Sequence, residues 1–323
     1  MKEFKIGLLG LGNIGTGTYK TLEMNRASIE AELGAEVKIV SILEKDTERE
    51  RDINVTKDQF VSDIEDITGN PEIDIVIELL GGIEPASTFM EKALLAGKHV
   101  VTANKAAVAA SWERLHEAAK KGGAMLKFEA SVGGGIPVLT AITGALRANE
   151  FEEVMGIVNG TTNYILYNMT AKGMDYATVL KDAQAKGFAE ADPTADVEGI
   201  DAANKLSILM ALMFDKHVHP TEIPTKGISD ITADDIVAAD REDCVIKLIA
   251  HAVRTDNGIE YSVGPMNIKK SHPLAGVNGE FNAVYVKGNV VGELMFYGPG
   301  AGPLPTGSAV MGDVMEICKA VSR

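Results

Sequence analysis

Phe4-Lys5-Ile6-Gly7-Leu8-Leu9 runs directly into Gly10-Leu11-Gly12-Asn13-Ile14-Gly15-Thr16-Gly17, and a helical pattern follows through Leu33. The short apolar run predicts a buried strand over residues 4–9. Glycines in such a turn let the backbone approach a pyrophosphate, and the helix start behind them favours negative charge. A lone G-x-G-x-x-G also marks plain turns. Placed between strand and helix, it predicts a dinucleotide site at Gly10, Gly12, Asn13, Ile14 and Gly15. Further strands are expected over residues 37–43, 73–79, 99–102 and 125–129, with helices over 87–96 and 105–121 between them. That alternation predicts an α/β Rossmann-type domain with a parallel sheet over residues 1–135.

Two places along this domain extend the site. The second strand runs out at Glu44, whose carboxylate suits a ribose 2′-hydroxyl and so NAD. Lys45, Arg49 and Arg51 follow closely enough to tolerate a 2′-phosphate, which leaves NADP open. Thr102 and Lys105, in Val101-Thr102-Ala103-Asn104-Lys105-Ala106, stand at the carboxyl end of a predicted strand, the edge where ligands bind in open sheets. A cation is disfavoured at a helix start. Lys105 is therefore expected to reach cofactor and substrate.

After residue 135 the pattern changes. β-rich runs over 151–158, 244–255, 259–269, 281–287 and 290–296 surround a helical block from 161 to 212. This predicts an α+β catalytic and dimerisation domain over residues 136–302 with an antiparallel or mixed sheet. Gly288-Asn289 reads as a hairpin turn. A long run such as residues 244–253 is a candidate edge for pairing across a two-fold axis. Residues 303–323 read as a C-terminal helix returning to the first domain.

Within the second domain, Gly187-Phe188-Ala189-Glu190-Ala191-Asp192-Pro193-Thr194-Ala195-Asp196-Val197-Glu198-Gly199 crowds carboxylates ahead of Asp201 and Lys205. Asp201 and Lys205 fall one helical turn apart on the same face. On a solvated helix such a pair is worth only about 0.3 kcal/mol. Here the helix that follows, residues 206–214, is apolar nearly all round and should be buried. Glu190, Asp196, Asp201 and Lys205 are thus expected to converge at a helix entrance. Asn159-Gly160-Thr161-Thr162-Asn163 predicts a strand-to-helix turn, with Thr161 either capping the helix or holding a substrate carboxylate. Glu129-Ala130-Ser131-Val132-Gly133-Gly134-Gly135-Ile136 offers main-chain oxygens and one carboxylate to a hard cation, or else a flexible turn.

Composition narrows the function classes. A formal charge of −15 over 323 residues opposes nucleic acid and anionic membranes. Cys244 and Cys318 lie in apolar segments without metal-like spacing, and a reducing cytoplasm is expected. No apolar run reaches the roughly 20 residues that span a bilayer, and residues 1–9 are too short for a secretion leader.

Taken together, GLGNIGTG, VTANKA, FEASVGGGIPV, GIVNGTTNYIL, GFAEADPTADVEGIDAANKLSIL, SHPLAGVNGEFNAV and GPGAGPLPTGSAVMGD closely resemble the homoserine dehydrogenases, over nearly the whole chain. The resemblance implies a homodimeric enzyme that interconverts L-aspartate 4-semialdehyde and L-homoserine with NAD or NADP. It further implies Lys205 as acid and base, with Lys105 and Asp201 beside it, and Glu190, Asp201, Asp196, Gly160, Thr161 and Phe188 at the substrate. Gly187 and Gly302 become cofactor contacts, and Glu129, Val132, Gly134 and Ile136 the ligands of a monovalent cation, sodium. Two departures stand out. An arginine common after the second strand in NADP-preferring relatives is replaced by Leu43-Glu44-Lys45, and no regulatory module is expected beyond the last helix. Aspartate-semialdehyde dehydrogenase would need a nucleophilic cysteine that neither Cys244 nor Cys318 supplies. Other Rossmann oxidoreductases lack the acidic block, and a nucleotide sensor needs neither Lys105 nor Lys205.

Overall fold

Strands that are apolar along their whole length need cover on both faces. The computed structural model, which describes residues 2–322, supplies it in the first of two units, Met1–Gly135 with Ala301–Arg323. In chain order the elements are β1 (Lys2–Leu9), α1 (Asn13–Leu33), β2 (Ala35–Leu43), β3 (Phe60–Val61), α2 (Glu65–Thr68), β4 (Ile75–Glu78), α3 (Ala86–Leu95), β5 (His99–Thr102), α4 (Lys105–Ala110), α5 (Trp112–Gly122) and β6 (Leu126–Lys127). All strand pairs are parallel, in the order β3-β2-β1-β4-β5-β6. This is the doubly wound arrangement, whose ligand crevice opens beside the first strand, where the order reverses.

The second unit, Ile136–Gly300, carries α6 (Val138–Thr143), β7 (Phe151–Ile157), α7 (Gly160–Lys172), α8 (Tyr176–Ala185), α9 (Thr194–Val197), α10 (Ile200–Phe214), α11 (Ala233–Arg241), β8 (Cys244–Thr255), β9 (Gly258–Lys269), β10 (Phe281–Gly288) and β11 (Gly292–Pro299). Its sheet is antiparallel throughout, in the order β11-β10-β7-β8-β9. The chain then returns to the first unit as α12 (Pro303–Val321).

In the first unit one face of the sheet is covered by α1 and α12, where Leu22, Val310, Val314 and Ile317 bury Phe4, Ile6 and Val37. On the other face Met90 and Leu94 of α3 and Leu115 of α5 cover Leu9, Val76 and Val100. Helices α1 and α12 touch backbone to backbone: a Cβ on Gly17 would lie 2.3 Å from Pro303 O, and one on Gly307 would lie 2.8 Å from Gly17 O.

Three local expectations need correction. The helix expected over 105–121 is broken at Ser111, whose φ of −123° ends α4 and starts α5, with its hydroxyl 2.9 Å from that of Ser87. The hairpin turn is Asn289-Val290-Val291, because Gly288 pairs with Gly292; Asn149 Oδ1 accepts from Val291 N at 2.8 Å. Finally, β8 is hydrogen-bonded to β9 along its length and to β7 over residues 250–253, so of the edge expected over 244–253 only residues 244–249 lack a strand partner on one side. The outer strands are β9 and β11. Among the described residues no helix is long and apolar enough to cross a membrane.

The close α1–α12 crossing predicts that Gly17→Val, which must push the helices apart, lowers the unfolding free energy by about 1–3 kcal/mol, read as a reduced urea midpoint.

Candidate functional site

The first cluster belongs to the first unit. Gly10 turns the chain with φ +91°, its N–H bonded to Leu43 O at 2.9 Å, and a Cβ there would strike Leu79 O at 2.7 Å. Gly12 has nothing within 4 Å of where a Cβ would stand, so the backbone there is open to a ligand. Gly15 packs its helix on the turn, a Cβ lying 2.3 Å from Gly10 O. The three glycines thus divide into turn, cradle and packing, the division a pyrophosphate site requires. A cleft of about 1470 Å³ opens here, lined by Gly10, Gly12, Glu44, Lys45, Leu79 and Phe89 among others. A compact drug-sized ligand fills roughly 300–1,000 Å³, so an extended dinucleotide fits.

The loop after β2 braces this turn. Glu44 Oε2 accepts from Leu11 N at 2.6 Å and Oε1 from Asp46 N at 3.0 Å. Burial works against ionisation of Glu44, but the N–H groups of Asp46, Leu11 and Lys45 outweigh it and hold the carboxyl below its usual range. Arg51 donates Nε to Leu11 O at 2.8 Å, with its remaining nitrogens on Arg49 O and Asp46 O. Both backbone groups of Leu11 are therefore held by side chains. Arg49 donates to Asn13 Oδ1 at 3.1 Å; Asn13 and Lys45 are exposed and Ile14 half-buried.

At the end of β5, the Thr102 hydroxyl donates to the buried Glu78 at 2.7 Å, and Asn104 caps α4 by accepting from Ala107 N at 3.1 Å. Lys105 is the first residue of α4 and half-buried. Glu78, absent from the sequence candidates, is fully buried; burial raises its pKa, against hydrogen bonds from Thr102, Leu80 N and Asn104. Gly302, with φ +118°, precedes the first turn of α12. At the end of β6, Glu129 is buried in a single 3-10 turn with its N–H on Asp313 Oδ2 at 2.9 Å. Val132 and Gly134 are buried beyond it, and Gly133 and Gly134 take φ of +76° and +57°. Ile136, also buried, begins the second unit.

The second cluster lies in the second unit, where α7 and α10 begin. Lys205 Nζ donates to Val158 O at 2.5 Å and to Asp201 Oδ2 at 2.7 Å, and both side chains are only 10% exposed. Asn159 binds the two acids together, donating Nδ2 to Asp201 at 2.9 Å and to Asp196 at 2.7 Å. The same side chain caps α7, its Oδ1 accepting from Thr162 N at 2.9 Å. Asn159, not Thr161, is thus the cap. Thr161 Oγ1 stands 2.6 Å from Phe188 O and 3.2 Å from Asp196 Oδ2. Gly160 presses on the chain at Glu280, whose oxygen lies 2.7 Å from where a Cβ would stand. Phe188 packs its ring on Tyr164 at 4.9 Å. Glu190 and Gly187 are exposed; the hydrogen bond that Glu190 makes is through its main-chain oxygen, to Gln184. Asp196, Asp201 and Lys205 therefore share one network, while the Glu190 side chain is exposed. A second lysine the sequence candidates passed over, Lys247, is buried on the far side of the α7 start. Its signal in the sequence is a cation inside the continuous apolar run of β8.

Comparison with known proteins places these clusters in context. The NAD-binding domain model of homoserine dehydrogenase matches residues 10–129, and the homoserine dehydrogenase model matches residues 137–315. The chain is 44% identical to the homoserine dehydrogenase of Bacillus subtilis (strain 168) over 319 residues, 99% of this chain and 74% of the relative. A crystal structure of a homoserine dehydrogenase from Thiobacillus denitrificans superposes with a TM-score of 0.93 at 42% identity, covering 100% of this chain and 74% of the other. A putative homoserine dehydrogenase from Archaeoglobus fulgidus does so at 0.87 and 32% identity, covering 97% and 99%.

Because Asn159 both caps α7 and bridges Asp196 to Asp201, Asn159→Leu is expected to lower the unfolding free energy by about 1–3 kcal/mol in a urea titration.

Proposed function

The chain belongs to the homoserine dehydrogenase family of NAD(P)-dependent oxidoreductases, and we propose that Lys205 is the acid and base of its reaction. The observation that carries this is the buried ammonium of Lys205, oriented by Asp201 and Val158 O within the acidic block. A bound nicotinamide supplies or accepts the hydride. In the direction of reduction, negative charge develops on the aldehyde oxygen of L-aspartate 4-semialdehyde, and Lys205 delivers a proton to it; in the oxidation of L-homoserine it takes that proton back. Asp201 holds the amine in place through both steps. Glu190, exposed and acidic, receives the substrate ammonium, while Gly160, Thr161, Phe188 and Asp196 shape that end of the site. Lys105 and Thr102, at the carboxyl end of β5, serve the nicotinamide end, with Gly187 and Gly302 as further cofactor contacts.

For the coenzyme, we infer a preference for NAD. Glu44, Asp63, Glu65 and Asp66 line the cleft against Lys45 and Lys92, and the Arg51 guanidinium is already engaged on three main-chain oxygens. A 2′-phosphate would meet an ionised Glu44 there. Glu129, with the main-chain oxygens of Val132 and Gly134, would hold a monovalent cation such as sodium. The fit rests on the buried Glu129, whose main-chain N–H is held by the carboxylate of the buried Asp313, at the start of a glycine turn. A homodimer is the expected assembly, paired through β11, where Met295 and Tyr297 are 40% and 53% exposed. Sedimentation of the chain tests it.

Lys205→Ala is expected to reduce kcat for homoserine oxidation by about 10²–10⁴-fold with dinucleotide affinity retained; near wild-type turnover would exclude the assignment. Glu44→Ala should shift the ratio of kcat/KM for NAD over NADP toward NADP by about tenfold, equivalent to about 1.4 kcal/mol, when both coenzymes are compared by nicotinamide absorbance. An unchanged ratio would remove Glu44 from coenzyme choice.

A further inference from the structure

Lys247 lies in the middle of an apolar strand face, between Val245 and Ile249, and is 2% exposed. Its ammonium donates to Val277 O at 2.5 Å, to Asn163 Oδ1 at 3.0 Å and to Asn278 Oδ1 at 3.3 Å. None of these acceptors carries a net charge. An ammonium buried without a carboxylate loses hydration that three neutral acceptors only partly replace. Such a group persists where its geometry is needed. A methionine in that place would avoid the desolvated charge but would leave Asn163 Oδ1, Val277 O and Asn278 Oδ1 without this donor.

The contacts of the three acceptors show what the ammonium organises. Asn163, on the first turn of α7, turns its amide nitrogen to Val277 O at 3.2 Å and Phe281 O at 3.0 Å. Lys247 and Asn163 thus tie residues 277–281 to α7 from two sides. The oxygen of Glu280, in that same segment, abuts Gly160 so closely that a Cβ would sit 2.7 Å away. Gly160 is flanked by Asn159, which joins Asp196 to Asp201, and by Thr161, which reaches Phe188 O. One continuous run of contacts therefore leads from the Lys247 ammonium through residues 277–281 to the Asn159-Gly160-Thr161 turn.

We propose that Lys247 is a positioning residue for the substrate: by clamping residues 277–281 it fixes the start of α7, and with it the turn that holds the amino-acid end of homoserine. The proposal rests on the assignment of Gly160 and Thr161 to the substrate made above. Burial without a counter-charge pushes the Lys247 amine down to about 8, in keeping with a group kept for its donors and not for an ion pair.

The experiment compares Lys247→Met, which keeps the bulk and removes the donors, with Lys247→Gln, which keeps an amide donor, and with Asn163→Ala, which removes the shared amide without touching a charge. Homoserine KM, kcat, NAD affinity by fluorescence titration and backbone hydrogen exchange are measured on each. Lys247→Met is expected to raise homoserine KM about tenfold and to lose exchange protection at residues 160–162 and 277–281, with NAD affinity within about twofold of wild type. Lys247→Gln should recover part of the KM, and Asn163→Ala should reproduce the rise even where Lys247→Met fails to fold. A wild-type homoserine KM in a folded Lys247→Met, or in Asn163→Ala, overturns the proposal, as does a loss of NAD affinity in step with the KM, which would signal general loosening. Lys205→Ala, assayed alongside, separates the two ideas: if it is inactive while Lys247→Met is normal, only the role of Lys247 fails.

Discussion

A buried ammonium must find acceptors or be expelled, and the second unit is built around two of them. Lys205 meets a carboxylate and a main-chain oxygen; Lys247 meets three neutral oxygens. The first turn of α7 lies between, with Asn159 facing one lysine through Asp201 and Asn163 facing the other. Removing one member of a buried ion pair typically costs about 3–5 kcal/mol, because its partner is left charged and dry. That penalty holds Lys205 and Asp201 of α10 at the turn, while the donors of Lys247 tie β8 to α7 from the other side, and the proposed chemistry inherits its geometry from both.

The first unit solves a different problem. Its ligand is anionic, and the chain is acidic overall, with a formal charge of −15. Long-range attraction is therefore missing, and local donors must do the binding. Gly12 leaves the backbone bare at the start of α1, while Glu44 and Arg51 hold the peptide groups of Leu11 so that the turn is set before any ligand arrives. The opposing demands on Glu44 show how local the control is: burial disfavours its charge, and three backbone donors restore it.

Much of the doubly wound unit was legible in the chain because its signals are short-range. An apolar run followed by glycines and a helical period needs no distant partner to be read, and β1, α1, β2 and β5 fall where those periods place them. The losses have a common cause. β3 is two residues long and owes its existence to pairing with Ile42 and Leu43. The break at Ser111 is joined by a hydroxyl contact to Ser87, 24 residues earlier. Thr161 and Asn159 both have the chemistry of a cap, and only the position of Asp196 and Phe188 draws the threonine away. Lys247 was invisible for the same reason: its acceptors come from residues 163, 277 and 278.

What the sequence determined by itself was the class of each half, the glycine turn for a pyrophosphate and the acidic block with its lysine, since periodicity, glycine conformation and helix spacing act within a few residues. Tertiary structure decided which strand was an edge, which acids joined Lys205 and which stayed in solvent, and how deeply each charge was buried. Those are properties of groups far apart in the chain, and desolvation and pairing come into force only when folding brings such groups together and removes water from between them.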